Sequence, residues 1–306
     1  MKADSAFTGS EYFRLFLVFA LAFFLIAPLF WACQKKTPES EKESEATTVI
    51  SADGVQISYF EQGSGSPAIV FVHGWSCNHS YWSKQVEHFS QMYKVVTLDL
   101  AGHGQSGGTR KNYTISAFGA DVAAVIKKLD LKKVVLVGHS MGGAVILEAA
   151  RLVPDRILGL VGADTFQDFE IQYSEEEIGQ FLAPFKENFT ETTRDFVLNM
   201  FPLNADSSMV QNIINEMSAA PKDIALSTMA NFLHYDAKPA LQEVRIPIHL
   251  INCEIFPVNI EAGKRHAFSF EVTFIPEVGH FVMLEDPVSF NQLLEEVINK
   301  LTGKDI

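Results

Sequence analysis

Short apolar runs alternate with longer amphipathic segments along most of the chain. Residues 55–60 alternate between apolar and polar positions, and continuous apolar runs follow at 68–72, 95–98, 133–137 and 157–163. Such continuous runs are typical of strands that are buried on both faces. Helical spacing of apolar residues falls between them, at 80–93, 115–130 and 144–153. Because strands that alternate with helices form βαβ units, the pattern predicts a mostly parallel central sheet flanked by helices.

The alternation stops after residue 165 and resumes near residue 241. Residues 166–240 are mostly helical in pattern, with breaks near Pro184, Pro202 and Pro221. Strand-like runs then return at 247–252 and 271–275, and an amphipathic helix closes the chain at 288–301. The sequence therefore predicts one core, 49–165 with 241–306, and a helical cap inserted at 166–240.

The first 48 residues have a composition of their own. Residues 15–32 are uninterruptedly apolar, which is close to the roughly 20 residues that a membrane-spanning helix needs. Ala32-Cys33 after this run resembles a bacterial lipoprotein signal, although Phe30 and Trp31 depart from the usual pattern. We favour a signal peptide with lipid on Cys33, and an uncleaved single-span anchor is the alternative for residues 1–33. Residues 34–48 are charged and predict a disordered linker. Because the segment before the linker carries a signal or an anchor, the domain is expected on a membrane, outside the cytoplasm.

Charge and cysteine content exclude several function classes. The formal net charge is −13, and nucleic-acid binding needs clustered Lys and Arg instead. The cysteines, Cys33, Cys77 and Cys253, are too few and too scattered for a disulfide framework or a zinc site. We expect no nucleic-acid partner and no metal.

A candidate nucleophile lies between a predicted strand and a predicted helix. Residues 138–142 read Gly-His-Ser-Met-Gly, a G-x-S-x-G pattern that a buried strand enters and a helix leaves. This is the context of a nucleophile elbow, in which a tight turn exposes the serine and glycines let neighbouring chains pass closely. Ser140 is therefore the predicted nucleophile, and the amides at the start of the helix suit an oxyanion.

Further motifs in the same order resemble the α/β-hydrolase superfamily over residues 50–302. His73-Gly74-Trp75 resembles its oxyanion loop, 99–106 resembles its D-x-x-G-x-G-x-S segment, and Gly279-His280-Phe281 resembles its catalytic-histidine loop. The resemblance implies the α/β-hydrolase fold, His280 as general base, and the backbone N–H groups of Trp75 and Met141 as the oxyanion hole. It implies no cofactor.

The acid that should orient His280 is not where the superfamily usually has it. Phe256 stands at the expected aspartate position after the strand at 247–252, and a phenyl ring cannot accept a proton. Two carboxylates remain as candidates. Asp164 follows the strand at 157–163, where some relatives such as certain dehalogenases carry their acid, and Glu254 lies two residues before Phe256. Asp164 is the interpretation that we favour.

These features predict an enzyme, a carboxylesterase-like hydrolase that acts on ester bonds. The expected substrate is a small-to-medium apolar carboxylic ester, thioester or lactone, cleaved through an acyl-enzyme on Ser140. The many Phe and Met residues of 166–240 favour an apolar pocket, although most of them are expected to pack the cap onto the core. Two alternatives stay open: a catalytically weak ligand-binding or signalling protein, which the departure at Phe256 suggests, and a cofactor-free perhydrolase.

Overall fold

The computed structural model describes residues 47–304. The predicted signal or anchor segment, Cys33 and nearly all of the predicted linker lie outside the described residues, so those predictions stay predictions. Between residues 47 and 304, no helix combines the length and the apolar character that crossing a bilayer requires.

An eight-stranded sheet forms the centre of the fold, in the order β1-β2-β4-β3-β5-β6-β7-β8. The strands are β1 Thr47–Ile50, β2 Gln56–Gln62, β3 Ala68–Val72, β4 Lys94–Leu98, β5 Val134–His139, β6 Ile157–Ala163, β7 Pro247–Cys253 and β8 Ser269–Ile275. Strands β3 to β8 pair in parallel, and β1 and β2 join antiparallel at one edge. The mostly parallel sheet predicted from the sequence is confirmed.

Eleven α-helices lie within the described residues, and two short 3₁₀ turns accompany them at His79–Trp82 and Pro154–Arg156. The α-helices are α1 Ser83–Phe89, α2 Ile115–Lys128, α3 Met141–Leu152, α4 Glu175–Glu187, α5 Phe189–Leu198, α6 Ser207–Ser218, α7 Lys222–Leu233, α8 Lys238–Glu243, α9 Ile260–His266, α10 Val282–Glu285 and α11 Pro287–Thr302. The helix expected at 80–93 is thus shorter than predicted. The helix expected at 144–153 begins earlier, directly after Ser140.

Helices α4 to α7 lie in the inserted segment between β6 and β7, and their ends follow local sequence signals. Ser174 and Glu177 form a capping box at the start of α4, and Asp206 accepts the N–H of Met209 at the start of α6. Residues 166–174, which were included in the predicted cap, contain no helix. The apolar faces of these helices are buried, as Ile178, Leu182 and Ile213 illustrate.

The parallel strands bring separate stretches of sequence to one edge of the sheet. Gly74 and Trp75 follow β3, Ser140 follows β5, Asp164 follows β6 and His280 follows β8. Because these strands run in the same direction, their carboxyl ends meet at the same edge, where ligands bind in open α/β sheets. The topology therefore gathers the predicted site residues before any side-chain contact is considered.

Candidate active site

Ser140 lies on a strained turn between β5 and α3. Its backbone angles are φ 53° and ψ −122°, a region that a residue with a Cβ rarely adopts. The turn is held by the N–H of Ser140, which donates to the carbonyl of Ala163 at 3.1 Å. A Cβ on Gly138 would lie 2.3 Å from the carbonyl oxygen of Gly142, so only glycine fits the close approach.

The loop after β3 lies directly beside this turn. A Cβ on Gly74 would lie 3.1 Å from the Cβ of Ser140, which places the Gly74-Trp75 backbone next to the nucleophile. Met141 is the first residue of α3, and the first amides of a helix have no intrahelical acceptor. The two predicted oxyanion donors therefore belong to segments that flank Ser140.

The side chain of Trp75 is enclosed by the cap. It is 5% exposed, and its indole N–H donates to the carbonyl oxygen of Ala225 in α7 at 2.8 Å. Its ring meets the phenyl rings of Phe185, Phe189 and Phe196 edge-on, with centroids 5.8 to 6.3 Å apart. The residue expected to supply an oxyanion amide is thus fixed by helices of the insertion.

Asp164 binds the imidazole of His280. Its carboxylate is fully buried, and Oδ2 lies 2.5 Å from Nδ1 of His280. The other oxygen, Oδ1, accepts the backbone N–H of Cys253 at 3.0 Å. Both oxygens therefore have a donor, which is what a buried carboxylate requires.

The structure does not bring the other candidate acid to the histidine. Glu254 is exposed, and it forms no hydrogen bond with His280 in the described part of the chain. Phe256 approaches instead, with its ring edge-on to the imidazole and the two centroids 6.1 Å apart. Of the two carboxylates left open by the sequence, only Asp164 has the geometry of a histidine-orienting acid.

The loop that carries His280 is held from two sides. Glu285 accepts the N–H of Gly279 at 2.8 Å and the N–H of Phe281 at 3.1 Å, one with each carboxylate oxygen. The N–H of His280 itself donates to the carbonyl oxygen of Met200, in the cap, at 2.8 Å. The roles of Glu285 and Met200 were not predicted, because an acidic side chain and a cap carbonyl carry no sequence motif that states their partner.

The Ser140 hydroxyl and the His280 ring do not share a hydrogen bond among the described residues. His139, the residue before Ser140, has its ring centroid 4.7 Å from that of His280. The Nε2 of His139 also lies 3.0 Å from the carbonyl oxygen of His280. Nucleophile–base hydrogen bonds are often long in a ligand-free site and shorten when substrate binds.

Burial governs the ionisable groups around the site. It lowers the pKa of His139 well below the ordinary value, and the neighbouring His280 lowers that pKa further. Burial also raises the pKa of Glu285, although the two amides that it accepts oppose the shift. The pKa of the Cys253 thiol rises to about 12, again mainly through burial, so this cysteine is an unreactive thiol.

Three further features of the described residues concern the cysteines, possible metal ligands and the loop after β4. Cys77 and Cys253 are both free and buried, so they form no disulfide. Among residues 47–304, no group of three or more His, Cys, Asp or Glu side chains is arranged to hold a metal ion. Asp99 accepts the N–H groups of His79 and Gln105 and so shapes the loop after β4.

Comparison with known proteins gives relatives that include an enol-lactonase and a non-heme haloperoxidase. The chain is 25% identical to 3-oxoadipate enol-lactonase 2 of Acinetobacter baylyi, over 82% of this chain and 96% of the lactonase. It is 41% identical to a non-heme haloperoxidase of Rhodococcus erythropolis, but only over 34% of this chain and 37% of that protein. Several of the curated relatives are matched over about a third of their length.

A solved structure and a family model also cover most of the chain. A putative aryl esterase from Burkholderia cenocepacia superposes with a TM-score of 0.70 and 26% identity, over 85% of this chain and all of that one. These relatives agree with the expectation of a hydrolase that acts on ester bonds. A family model described as alpha/beta hydrolase fold matches residues 67–287. The chain therefore belongs to the alpha/beta hydrolase fold family.

Proposed function

We propose that this protein is a serine hydrolase that cleaves an ester-type bond of a small-to-medium apolar substrate through an acyl-enzyme. The observation that carries the proposal is the hydrogen bond between buried Asp164 and Nδ1 of His280, on the loop beside the strained turn of Ser140. A nucleophile, a base and an orienting acid at one sheet edge are the parts that acyl transfer needs.

Asp164 sets the protonation state in which His280 can act as a base. Because the carboxylate accepts a hydrogen bond from Nδ1–H, the neutral ring keeps the lone pair of Nε2 available for the Ser140 hydroxyl proton. Ser140 Oγ then attacks the carbonyl carbon, and the N–H groups of Trp75 and Met141 stabilise the negative oxygen. The proton passes from Nε2 to the leaving oxygen or sulfur, and the acyl group remains on Ser140.

Water completes the cycle by the same route in reverse. His280 takes a proton from a water molecule, the resulting hydroxide attacks the acyl carbon, and Ser140 leaves with the proton. No oxidant, metal or organic cofactor enters either half of the reaction.

The apolar preference rests on the surroundings of Trp75. The cap presents Phe185, Phe189 and Phe196 to this indole, next to the segment proposed to bind the oxyanion. An acyl chain entering from this side meets aromatic carbon instead of charge, which favours apolar substrates. The enol-lactonase and esterase relatives support an oxygen ester or a lactone as the bond cleaved.

The experiment is hydrolysis of a p-nitrophenyl ester series of increasing acyl length by the full chain. We expect turnover in the parent, and a loss of about 10³-fold or more in kcat for Ser140→Ala. Ser83→Ala, on an exposed serine of α1, serves as the matched control and should match the parent. Fluorophosphonate should label the parent and the Ser83→Ala variant but not Ser140→Ala.

The opposite result has a definite meaning. A parent that hydrolyses none of the esters and takes up no fluorophosphonate contradicts the hydrolase proposal, and a ligand-binding or signalling role then replaces it. Activity that survives Ser140→Ala instead contradicts the assignment of the nucleophile.

A further inference from the structure

Strands β6 and β7 stop pairing through their backbones just before the candidate acid. The regular ladder ends with Ala163 opposite Ile251, and the N–H of Asp164 still donates to the carbonyl oxygen of Ile251 at 3.1 Å. The chain then turns away, since Asp164 has φ 42° and Phe166 has φ 54°. Two residues with a side chain and positive φ, so close together, are an unfavourable backbone that persists only where the surroundings enforce it.

The side chain of Asn252 continues the pairing where the backbone has stopped. Its Nδ2 donates to the carbonyl oxygen of Thr165 at 2.9 Å, and its Oδ1 accepts the N–H of Thr165 at 3.3 Å. One amide thus supplies the donor and the acceptor that a neighbouring peptide group would supply. Asn252 is fully buried, so the two bonds are made away from water, where leaving either group unpaired is costly.

Thr165 connects this turn to the nucleophile. Its hydroxyl donates to the carbonyl oxygen of Ser140 at 2.7 Å, and the residue is 4% exposed. The neighbouring Asp164 is held in turn by the N–H of Cys253, the residue after Asn252. The end of β7 therefore reaches both the acid and, through Thr165, the strained turn of Ser140.

We propose that Asn252 and Thr165 are positioning residues that fix the acid Asp164 and the nucleophile Ser140 relative to one another. This inference rests on the proposed function. Neither side chain touches the reacting atoms: Asn252 acts through the backbone of Thr165, and Thr165 acts through the carbonyl of Ser140. An apolar side chain of similar size fills the same space but loses the two bonds of Asn252 at one position, or the one bond of the Thr165 hydroxyl at the other.

The first test compares Asn252→Leu and Thr165→Val with the parent in p-nitrophenyl ester hydrolysis by the full chain. Because the acid or the nucleophile is displaced while the substrate contacts remain, we expect kcat to fall by about 10- to 100-fold and KM to stay within about twofold. Asn291→Leu is the matched control. Asn291 is also buried and accepts a hydrogen bond from Gln85, but it lies in α11, so its loss should leave kcat unchanged.

A double mutant separates positioning from simple destabilisation. If Asn252 acts through Asp164, then Asn252→Leu should lower kcat little further in an Asp164→Asn background, whereas independent effects multiply. A multiplied loss in the double mutant, or an unchanged kcat in both single variants, overturns the inference.

A readout that needs no turnover distinguishes this inference from the proposed function. The proton shared by His280 and Asp164 should give a strongly downfield proton NMR signal in the parent, absent from Asp164→Asn. We expect Asn252→Leu to weaken or shift this signal and Asn291→Leu to preserve it. That result supports the positioning role even for a parent that hydrolyses no ester, whereas an unchanged signal in Asn252→Leu overturns it.

Discussion

At the scale of single residues, His280 has a carboxylate at Nδ1 and a phenyl ring at its edge. Asp164, which is fully buried, supplies the carboxylate, and Phe256 supplies the ring. The carboxylate is fully buried and the His280 side chain is 12% exposed, and a hydrogen bond to a carboxylate is stronger in such a site than in water. Within the described residues, Asp164 is the one carboxylate bonded to the imidazole of His280.

This arrangement predicts a sharp difference between the two candidate acids. Asp164→Asn keeps the size of the side chain but removes the charge and the tautomer preference, so we expect kcat to fall by about 10³- to 10⁴-fold. Glu254→Gln changes an exposed residue of the next loop and should leave kcat within about twofold. Ester hydrolysis by the two variants side by side measures both, and a larger loss in Glu254→Gln would return the acid role to that residue.

At the scale of elements, the loop between β8 and α10 depends on one carboxylate. Glu285 accepts the amides on both sides of His280, so Glu285→Gln turns an NH₂ group toward one of these N–H donors. We expect kcat to fall by about 10- to 100-fold with little change in KM, because the histidine and not the substrate is displaced.

Asp286→Asn is the control for this prediction. Asp286 is the next residue and caps α11 through the N–H of Ser289, so its variant tests a general weakening of the same region. It should lower the thermal midpoint while kcat stays as in the parent. If both variants lower kcat equally, Glu285 has no special relation to His280.

Elements and site residues differ in how well the sequence alone predicts them. Continuous apolar runs predict β3 to β6, because strands that are buried on both faces need apolar residues throughout. Local motifs predict Ser140 as the nucleophile and His280 as the base, because tight turns need particular residues in a fixed order. The edge strand β1 was not predicted, since four mostly exposed residues carry no clear pattern. The choice between Asp164 and Glu254 depended on how two loops, about 90 residues apart in sequence, fold against each other, which no local pattern records.

At the scale of the whole molecule, three hydrogen bonds connect the cap to the core close to the candidate site. The indole of Trp75 donates to Ala225, the N–H of His280 donates to Met200, and the hydroxyl of Tyr235 donates to Glu148 in α3 at 2.8 Å. These bonds reach the oxyanion loop, the histidine loop and the helix that follows the nucleophile. The insertion therefore contributes to the rigidity of the site as well as covering it.

The buried histidines around the site predict how the stability of the fold depends on pH. Burial lowers the pKa of His73 to about 3 and also lowers the pKa values of His103 and His139. His73 must indeed be neutral, since its Nε2 accepts the N–H of Leu100 while Nδ1 lies 2.8 Å from the carbonyl oxygen of Gly74. Below about pH 6.5 the unfolded chain binds more protons at these three side chains than the native state does.

The three buried histidines make the native state less stable in acid. Above about pH 6.5 the three histidines do not reduce the free energy of unfolding. Below that pH the free energy of unfolding falls until the pH reaches their native pKa values. Each unmatched proton costs up to about 1.4 kcal/mol per pH unit, so three histidines give at most about 4 kcal/mol per unit. Raised pKa values of Asp121 and Glu285 oppose this slope, because the native state protonates those carboxyls more readily. Urea unfolding at pH 7.5, 6.5 and 5.5 measures the net dependence.

Two histidine variants assign that slope to particular residues. His103→Gln keeps a donor for the carbonyl oxygen of Ala101 but cannot titrate, so we expect the slope below pH 6.5 to decrease by up to about 1.4 kcal/mol per unit. His234 is the control of opposite sign. It lies near the surface, and its pKa is raised by the carbonyl of Ala230 and by Glu175, so His234→Gln should leave the slope unchanged or make it slightly steeper. A slope in His103→Gln equal to that of the parent would contradict the prediction, because it would show that His103 binds its proton equally in the native and unfolded states.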